Sequence, residues 1–286
     1  MAQKQTIILY HGDCPDGFGA AYAAWKKFGD SAEYIPVKYG RPAPELEPGR
    51  DVFVVDFCYP KEVMDALAAN TKTFTVLDHH QGIREVVESF PNHVYDASRS
   101  GATIAWGYFH PDTPVPIILQ YVQAGDLYTF ELPNSRAVLS YLYTKPFHFD
   151  AWDAMREELE DPEKQARAIA RGEIYFEYYS LMVEKMASRA ELVEFDNREV
   201  YLGSANSLFN SDVGHVLAKK QGPFALIAGI AHDGIRVSLR GDGSVDVSAI
   251  ARAHGGNGHP NAAAFFVPWG TPLPWKSIAK HAHSGD

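Results

Sequence analysis

Residues 6–17 read TIILYHGDCPDG, and this stretch decides the fold. A short run rich in β-branched and aromatic residues is followed at once by His11, Asp13 and Asp16, on a turn fixed by Pro15 and Gly17. Behind it, residues 19–28 are rich in alanine with interleaved aromatics and predict a helix. The same arrangement returns twice: the apolar run 52–55 leads to Asp56, and the run 74–77 leads to Asp78, His79 and His80. Between them, residues 60–69 begin on a proline and read as another helix. Strands alternating with helices imply a parallel sheet with crossover connections. In such open sheets ligands gather beyond the carboxyl ends of the strands. The polar clusters are therefore expected to meet along one edge.

Farther along, the apolar run 117–122 precedes Asp126 and is read in the same way, as a fourth cluster at the end of a strand. From Phe149 to about Asp196 the chain turns charged and helix-forming, with Pro162 and Gly172 predicted to break it into pieces. Residues 223–230 and 235–240 read as strands around the turn His232-Asp233-Gly234. Residues 246–254 read as a helix entering the run Gly255-Gly256-Asn257-Gly258, and 262–267 as a closing strand. The overall expectation is an α/β protein of two domains: residues 1–190, a metal-binding catalytic domain on a parallel sheet with closing helices, and residues 191–286, a smaller α/β substrate-binding domain.

Bulk properties narrow the function. The chain has 286 residues, 46% of them hydrophobic, enough for well-buried cores. Its formal charge of −10 disfavours tracking along a polyanion, which needs many Lys and Arg to displace phosphate counterions. A short substrate is expected, with no long duplex nucleic acid and no membrane partner. Only four apolar residues in a row precede His11, too few for a signal-peptide core, and a cytoplasmic location is expected. The two cysteines, Cys14 and Cys58, exclude a disulfide framework and a four-thiolate zinc site, and each is read as a small reduced filler side chain.

Carboxylates and imidazoles in this mixture suit hard or borderline divalent ions, with a lean toward manganese. An Asp-Gly turn at a strand end is usually structural, but Asp78-His79-His80 directly behind an apolar run has no obvious core role. Four such clusters in succession are hard to explain by turn-making alone.

Residues 11–19, the isolated Asp56, the triplet Asp78-His79-His80 and Asp126 resemble the four ordered motifs of the DHH phosphoesterase superfamily. The segment SLRGDGSVDVSAIARAHGGNGHPNAAAF (residues 238–265) resembles the glycine-rich domain associated with it. Three details differ. The first motif carries one more residue than the common Asp-x-Asp, leaving open whether Asp13 or Asp16 corresponds to the bridging ligand. The glycine run is interrupted by Asn257, and Ala-Ala-Ala stands where Ala-Ala-Gly is usual.

The resemblance implies two Mn²⁺ ions, with Mg²⁺ or Co²⁺ as substitutes, held by His11, Asp13, Asp16, Asp56, His79 and Asp126, with Asp56 expected to be the shared carboxylate. Two-metal logic has the pair clamp phosphate oxygens and activate water for in-line attack. Asp78 is expected to orient the imidazoles, and His80 to contact the transferred phosphoryl group or protonate the leaving oxygen. Arg240, His259 and the segment Gly255, Gly256, Asn257, Gly258 are expected to bind substrate, with Arg99 a further phosphate contact. The leading expectation is hydrolysis of short oligonucleotides or linear dinucleotides to mononucleotides. Alternatives are a cyclic-dinucleotide phosphodiesterase, an adenosine 3′,5′-bisphosphate phosphatase, a pyrophosphatase and, from another class, a non-catalytic nucleotide sensor; a homodimer is compatible with all of them. His93, His110, His148, His215, His232, His254, His281 and His283 are read as structural or surface residues, and the aromatics of residues 175–179 as helix packing.

Overall fold

The computed structural model describes residues 4–278; His281 and His283 lie outside the described residues. The chain divides into two compact units, Met1–Phe176 and Glu177–Asp286.

The first unit runs β1 (Thr6–His11), α1 (Pro15–Phe28), β2 (Ala32–Val37), β3 (Asp51–Val55), α2 (Lys61–Ala69), β4 (Thr73–Asp78), α3 (Arg84–Glu88) and β5 (Asn92–Tyr95), then α4 (Gly101–Phe109), α5 (Ile117–Asp126), α6 (Ser135–Leu142), α7 (Phe149–Glu160) and the start of α8 (Pro162–Ala187). Its five strands are all parallel, in the order β2-β1-β3-β4-β5. A parallel sheet covered on both faces needs strands that are apolar on both sides. Ile8, Val55 and Leu77 point into a core with Phe18, Tyr22, Trp106, Leu119 and Trp152. Their neighbours Ile7, Leu9, Val54 and Val76 point into a second core with Phe57, Met64 and Val87. Because β1 sits between β2 and β3, the chain leaves it toward opposite sides, and a crevice opens at the carboxyl ends of β1 and β3.

Three local expectations are corrected. Residues 117–122 do not form a strand. They belong to helix α5, where Ile118, Leu119, Tyr121 and Val122 bury one face, so Asp126 is the last residue of a helix. A short apolar run has no periodicity that separates the two outcomes. Gly172 does not break the helix that Pro162 begins: α8 passes through it because α6 crosses closely there. A Cβ on Gly172 would stand 2.0 Å from the Ala137 carbonyl oxygen. Finally, the helical stretch ends at Ala187, and Glu191–Phe195 is a strand. Two edge strands, β2 and β5, escaped the sequence reading; β2 carries Pro36, which only an edge accommodates readily.

The second unit contains β6 (Glu191–Phe195), β7 (Arg198–Ser204), α9 (Asn210–Lys220), β8 (Phe224–Ala231), β9 (Gly234–Gly241), α10 (Val247–Ala253), β10 (Asn257–His259), β11 (Ala262–Pro268) and β12 (Lys276–Ser277). They form one sheet in the order β10-β11-β9-β8-β7-β6-β12, with only β7 and β8 parallel, joined through α9. Asp196 and Asn197, both at positive φ (52° and 56°), make the two-residue turn between β6 and β7. Among the described residues, no helix is long and apolar enough to cross a membrane.

Candidate metal centre

The carboxyl ends of β1, β3 and β4 deliver His11, Asp56 and Asp78-His79-His80 to the crevice. Asp56 leaves β3 at a φ of 53°, a left-handed conformation that aspartate tolerates better than branched residues, while its N–H still donates to the Leu77 carbonyl at 2.9 Å. Two glycines allow the close approach. A Cβ on Gly17 would lie 2.2 Å from the His11 carbonyl oxygen, and one on Gly101 would lie 2.5 Å from the Cβ of Asp56. Helix α1 therefore starts directly against β1, and α4 starts directly against Asp56. Asp16, in the first turn of α1, accepts the N–H groups of Gly101 (2.6 Å) and Ala102 (3.0 Å). A carboxylate is well placed at a helix N-terminus, where unpaired N–H groups converge.

Around His79 the carboxylates crowd. Its Nε2 lies 3.3 Å from Asp56 Oδ1, 3.6 Å from Asp126 Oδ2 and 3.7 Å from Asp16 Oδ2. His11 Nδ1 lies 3.6 Å from Asp56 Oδ2. Most of these separations are too long for good hydrogen bonds. Asp56 is 1% exposed, yet both of its carboxylate oxygens are buried without a hydrogen-bond partner, as is His79 Nε2. Folded proteins rarely leave such groups unsatisfied, because an unpaired buried charge is costly. A cation coordinated by these atoms would satisfy them, and the donor set fits a divalent metal.

Three groups of side chains offer ligand atoms within 4.8 Å of one another: Asp56 with Asp78, His79 and His80; His11 with Cys14 and Asp56; and Asp16 with His79 and Asp126. Asp56 and His79 each belong to two of them. The electrostatics report the same excess of negative charge. Burial, reinforced by Asp56 and Asp126, raises the Asp16 carboxyl well above the usual range. Burial likewise pushes Asp126 up to about 6 against the opposing pull of His79. For His79 burial opposes protonation, but the close carboxylates of Asp56, Asp126 and Asp16 outweigh it and push the imidazole up to about 10. Burial also opposes ionisation of Asp56, and the nearby imidazoles of His11, His79 and His80 overcome it and hold the carboxyl low.

Asp78 is fully buried, and its Oδ1 accepts the N–H groups of His79 (2.6 Å) and His80 (2.9 Å) and bonds His80 Nδ1 at 2.7 Å. It thus fixes both the backbone of the triplet and the His80 ring.

The structure brings together His11, Asp16, Asp56, Asp78, His79, His80 and Asp126. It does not bring Asp13 with them: at a φ of 61° its side chain turns outward, 76% exposed, to an ion pair with Lys38. Cys14, expected to be filler, instead points its sulfur toward His11 and Asp56. Arg99 folds back onto α4, donating to the Thr103 carbonyl. In the second unit, Arg240 donates to Ser211 Oγ (3.2 Å and 3.3 Å) and to the Leu239 carbonyl. Gly255 (φ 76°) and Gly256 close the end of α10, their N–H groups bonding the Arg252 and Ala251 carbonyls, and Gly258 lies in β10 against Ala263. Those glycines are accounted for by the fold itself. Asn257 is exposed, its side chain accepting the Gly258 N–H, and His259 pairs with Ala262 across the edge.

Two neighbours of the site had no sequence signal. Tyr39 packs edge-on against His11, ring centroids 5.4 Å apart, and against Phe57. Gln123 accepts the Ser100 N–H at 3.1 Å and the Thr103 hydroxyl, steadying the start of α4.

No protein-family model matches the chain. An uncharacterised protein of Acanthamoeba polyphaga mimivirus is 29% identical over an alignment 282 residues long that takes in 90% of this chain and 66% of that protein. The chain therefore spans just under two thirds of the length of that curated relative. Among solved structures, the DHH domain of a member of a family of ribosomal proteins superposes with a TM-score of 0.59 at 12% identity, covering 92% of this chain and 83% of that one. An exopolyphosphatase-related protein from Bacteroides fragilis superposes with a TM-score of 0.51 at 13% identity, covering 93% and 87%.

Proposed function

We propose that this chain, whose fold matches that of a DHH domain, is a cytoplasmic, manganese-dependent phosphoesterase of the DHH superfamily that hydrolyses short oligonucleotides or linear dinucleotides to mononucleotides. The observation that carries this reading is the buried Asp56, with both carboxylate oxygens unpartnered amid imidazoles and further carboxylates. His11, Asp16, Asp56, His79 and Asp126 would hold the cations, with Asp56 shared between positions; Asp13, turned out to solvent, is left out of the set. Two bound divalent ions supply Lewis acidity toward phosphate oxygens and lower the pKa of water.

The chain's own groups supply the rest. Asp78 holds the His80 ring through Nδ1, and the ring so oriented is proposed to contact the phosphoryl group or hand a proton to the leaving oxygen. Asp16, tied to two N–H groups of α4, cannot swing away from the site without uncapping that helix. Arg240 and His259 are proposed to bind substrate. Replacing either with alanine should raise KM several-fold and leave the manganese stoichiometry in a calorimetric titration unchanged.

The charge of −10 favours small substrates over long strands. The test is incubation with Mn²⁺ and a panel of linear dinucleotides, cyclic dinucleotides, adenosine 3′,5′-bisphosphate and pyrophosphate, with products separated chromatographically. Mononucleotides from the linear dinucleotides are expected. Turnover confined to another member of the panel would overturn the substrate, and no turnover of any member would overturn the activity.

A further inference from the structure

Cys14 is placed where a filler side chain has no reason to be. Asp13, at a φ of 61°, turns the chain so that its own carboxylate faces outward to Lys38, and the next residue, Cys14, occupies the N-cap position of α1 ahead of Pro15 in extended conformation, its side chain making no cap hydrogen bond. The sulfur, an imidazole nitrogen of His11 and a carboxylate oxygen of Asp56 then lie within 4.8 Å of one another. Asp56 is the group in this trio that demands a partner, since it is 1% exposed and neither oxygen has a hydrogen bond. Cys58, by contrast, is buried and spends its S–H on the Tyr59 carbonyl at 3.2 Å.

We propose that Cys14 Sγ is a metal ligand, completing with His11 and Asp56 one of the two cation positions that Asp13 does not reach. This rests on the metal-binding reading given above. Its chemical consequence is a difference between the two positions. The group Asp16, His79 and Asp126 is purely oxygen and nitrogen and suits manganese, whereas a thiolate beside His11 and Asp56 favours a softer ion such as Zn²⁺ or Co²⁺. Binding there displaces the thiol proton, which leaves to solvent as the sulfur–metal bond forms; no oxidant or reductant takes part.

The full-length protein loaded with Co²⁺ alone tests this directly. A thiolate ligand gives an intense near-ultraviolet charge-transfer band besides the weaker visible ligand-field bands, and X-ray absorption of the zinc-loaded protein should find one sulfur at about 2.3 Å. Cys14→Ser should abolish the band, while Cys58→Ser and Asp13→Asn should retain it. Cys14→Ser should also shift the affinity ratio of Zn²⁺ to Mn²⁺ toward manganese by at least about tenfold. Ligand-field bands without the charge-transfer band, in the unaltered protein, would overturn the assignment of Cys14 while leaving the metal site standing. No cobalt binding of any kind would overturn both. Because the decisive spectra are those of the unaltered chain, a poorly folded variant does not obscure the result.

Discussion

Asp56 is held by neighbours that cannot satisfy it: two imidazoles at 3.3 Å and 3.6 Å and two further carboxylates sharing His79. The protein without metal should therefore carry electrostatic strain that a cation relieves. Asp56→Asn is expected to lower the Tm of chelator-treated protein, because the His11 and His79 imidazoles lose the charge that holds the Asp56 carboxyl low, and to abolish the additional rise that Mn²⁺ gives the unaltered protein. That additional rise should correspond to about 2.7 kcal/mol when the ion is at a hundred times its Kd. Turnover should fall by about a thousandfold or more. Melting curves with chelator and with Mn²⁺ check all but the last. A variant that keeps the manganese-dependent rise would mean that Asp56 is not a ligand. At this scale the aspartates and histidines behind apolar strands were legible, because polar side chains at such positions have no packing role. Asp13 and Cys14 were not. Adjacent residues differ in direction by one backbone torsion, and nothing in the pattern His-Gly-Asp-Cys-Pro-Asp says which of them turns inward.

Helices α1 and α7 are tied by one polar knot. Tyr22 OH (2.6 Å), Lys26 Nζ (2.9 Å) and Arg156 Nε (3.2 Å) all donate to Asp153 Oδ1. Burial works against the Asp153 charge, but these bonds outweigh it and hold the carboxyl at about 2. A carboxyl depressed in the folded state stabilises fully above its unfolded pKa of about 4, and that contribution is lost as pH falls through about 2. Asp153→Asn should thus cost about 1 kcal/mol near neutrality. Urea midpoints of variant and unaltered protein should converge as pH drops from about 4 to 2, and a gap that persists below that window would contradict the knot. A second expectation concerns α6 and α8. Gly172→Ala should destabilise by about 1–3 kcal/mol, read as a lower denaturant midpoint, because its methyl would meet the Ala137 carbonyl. An unchanged midpoint would mean the helices part at no cost. The core strands β1, β3 and β4 were readable from their apolar runs, and α2 from its opening proline. Helix α5 and the passage of α8 through Gly172 were not, because burial on several sides erases the helical period, and a glycine that admits a neighbouring helix looks in sequence like one that ends its own.

For the whole molecule, net charge is the quantity that bears on substrate size. With 36 acidic against 26 basic side chains, nucleotides beyond the first few gain little from the surface and are repelled on average. The expected outcome is a kcat/KM that peaks at about two to four nucleotides and a shallow salt dependence. Initial rates on a length series up to about twenty nucleotides, at two salt concentrations, check this. Rates that climb with length and collapse in salt would point to a strand-tracking surface. The α/β class was legible at this scale, because strands alternate with helices along the first half of the chain. Strand β6 was hidden in residues read as the tail of the helical stretch, and β7 in residues to which no element was assigned. The residues gathered at the crevice come from chain positions as far apart as His11 and Asp126, on β1, α1, β3, β4 and α5. No early fragment of a folding chain can hold all of them, since the last arrives only when α5 has docked. Tight metal uptake is therefore a terminal event of folding, and a cation in the medium selects among finished molecules without guiding unfinished ones.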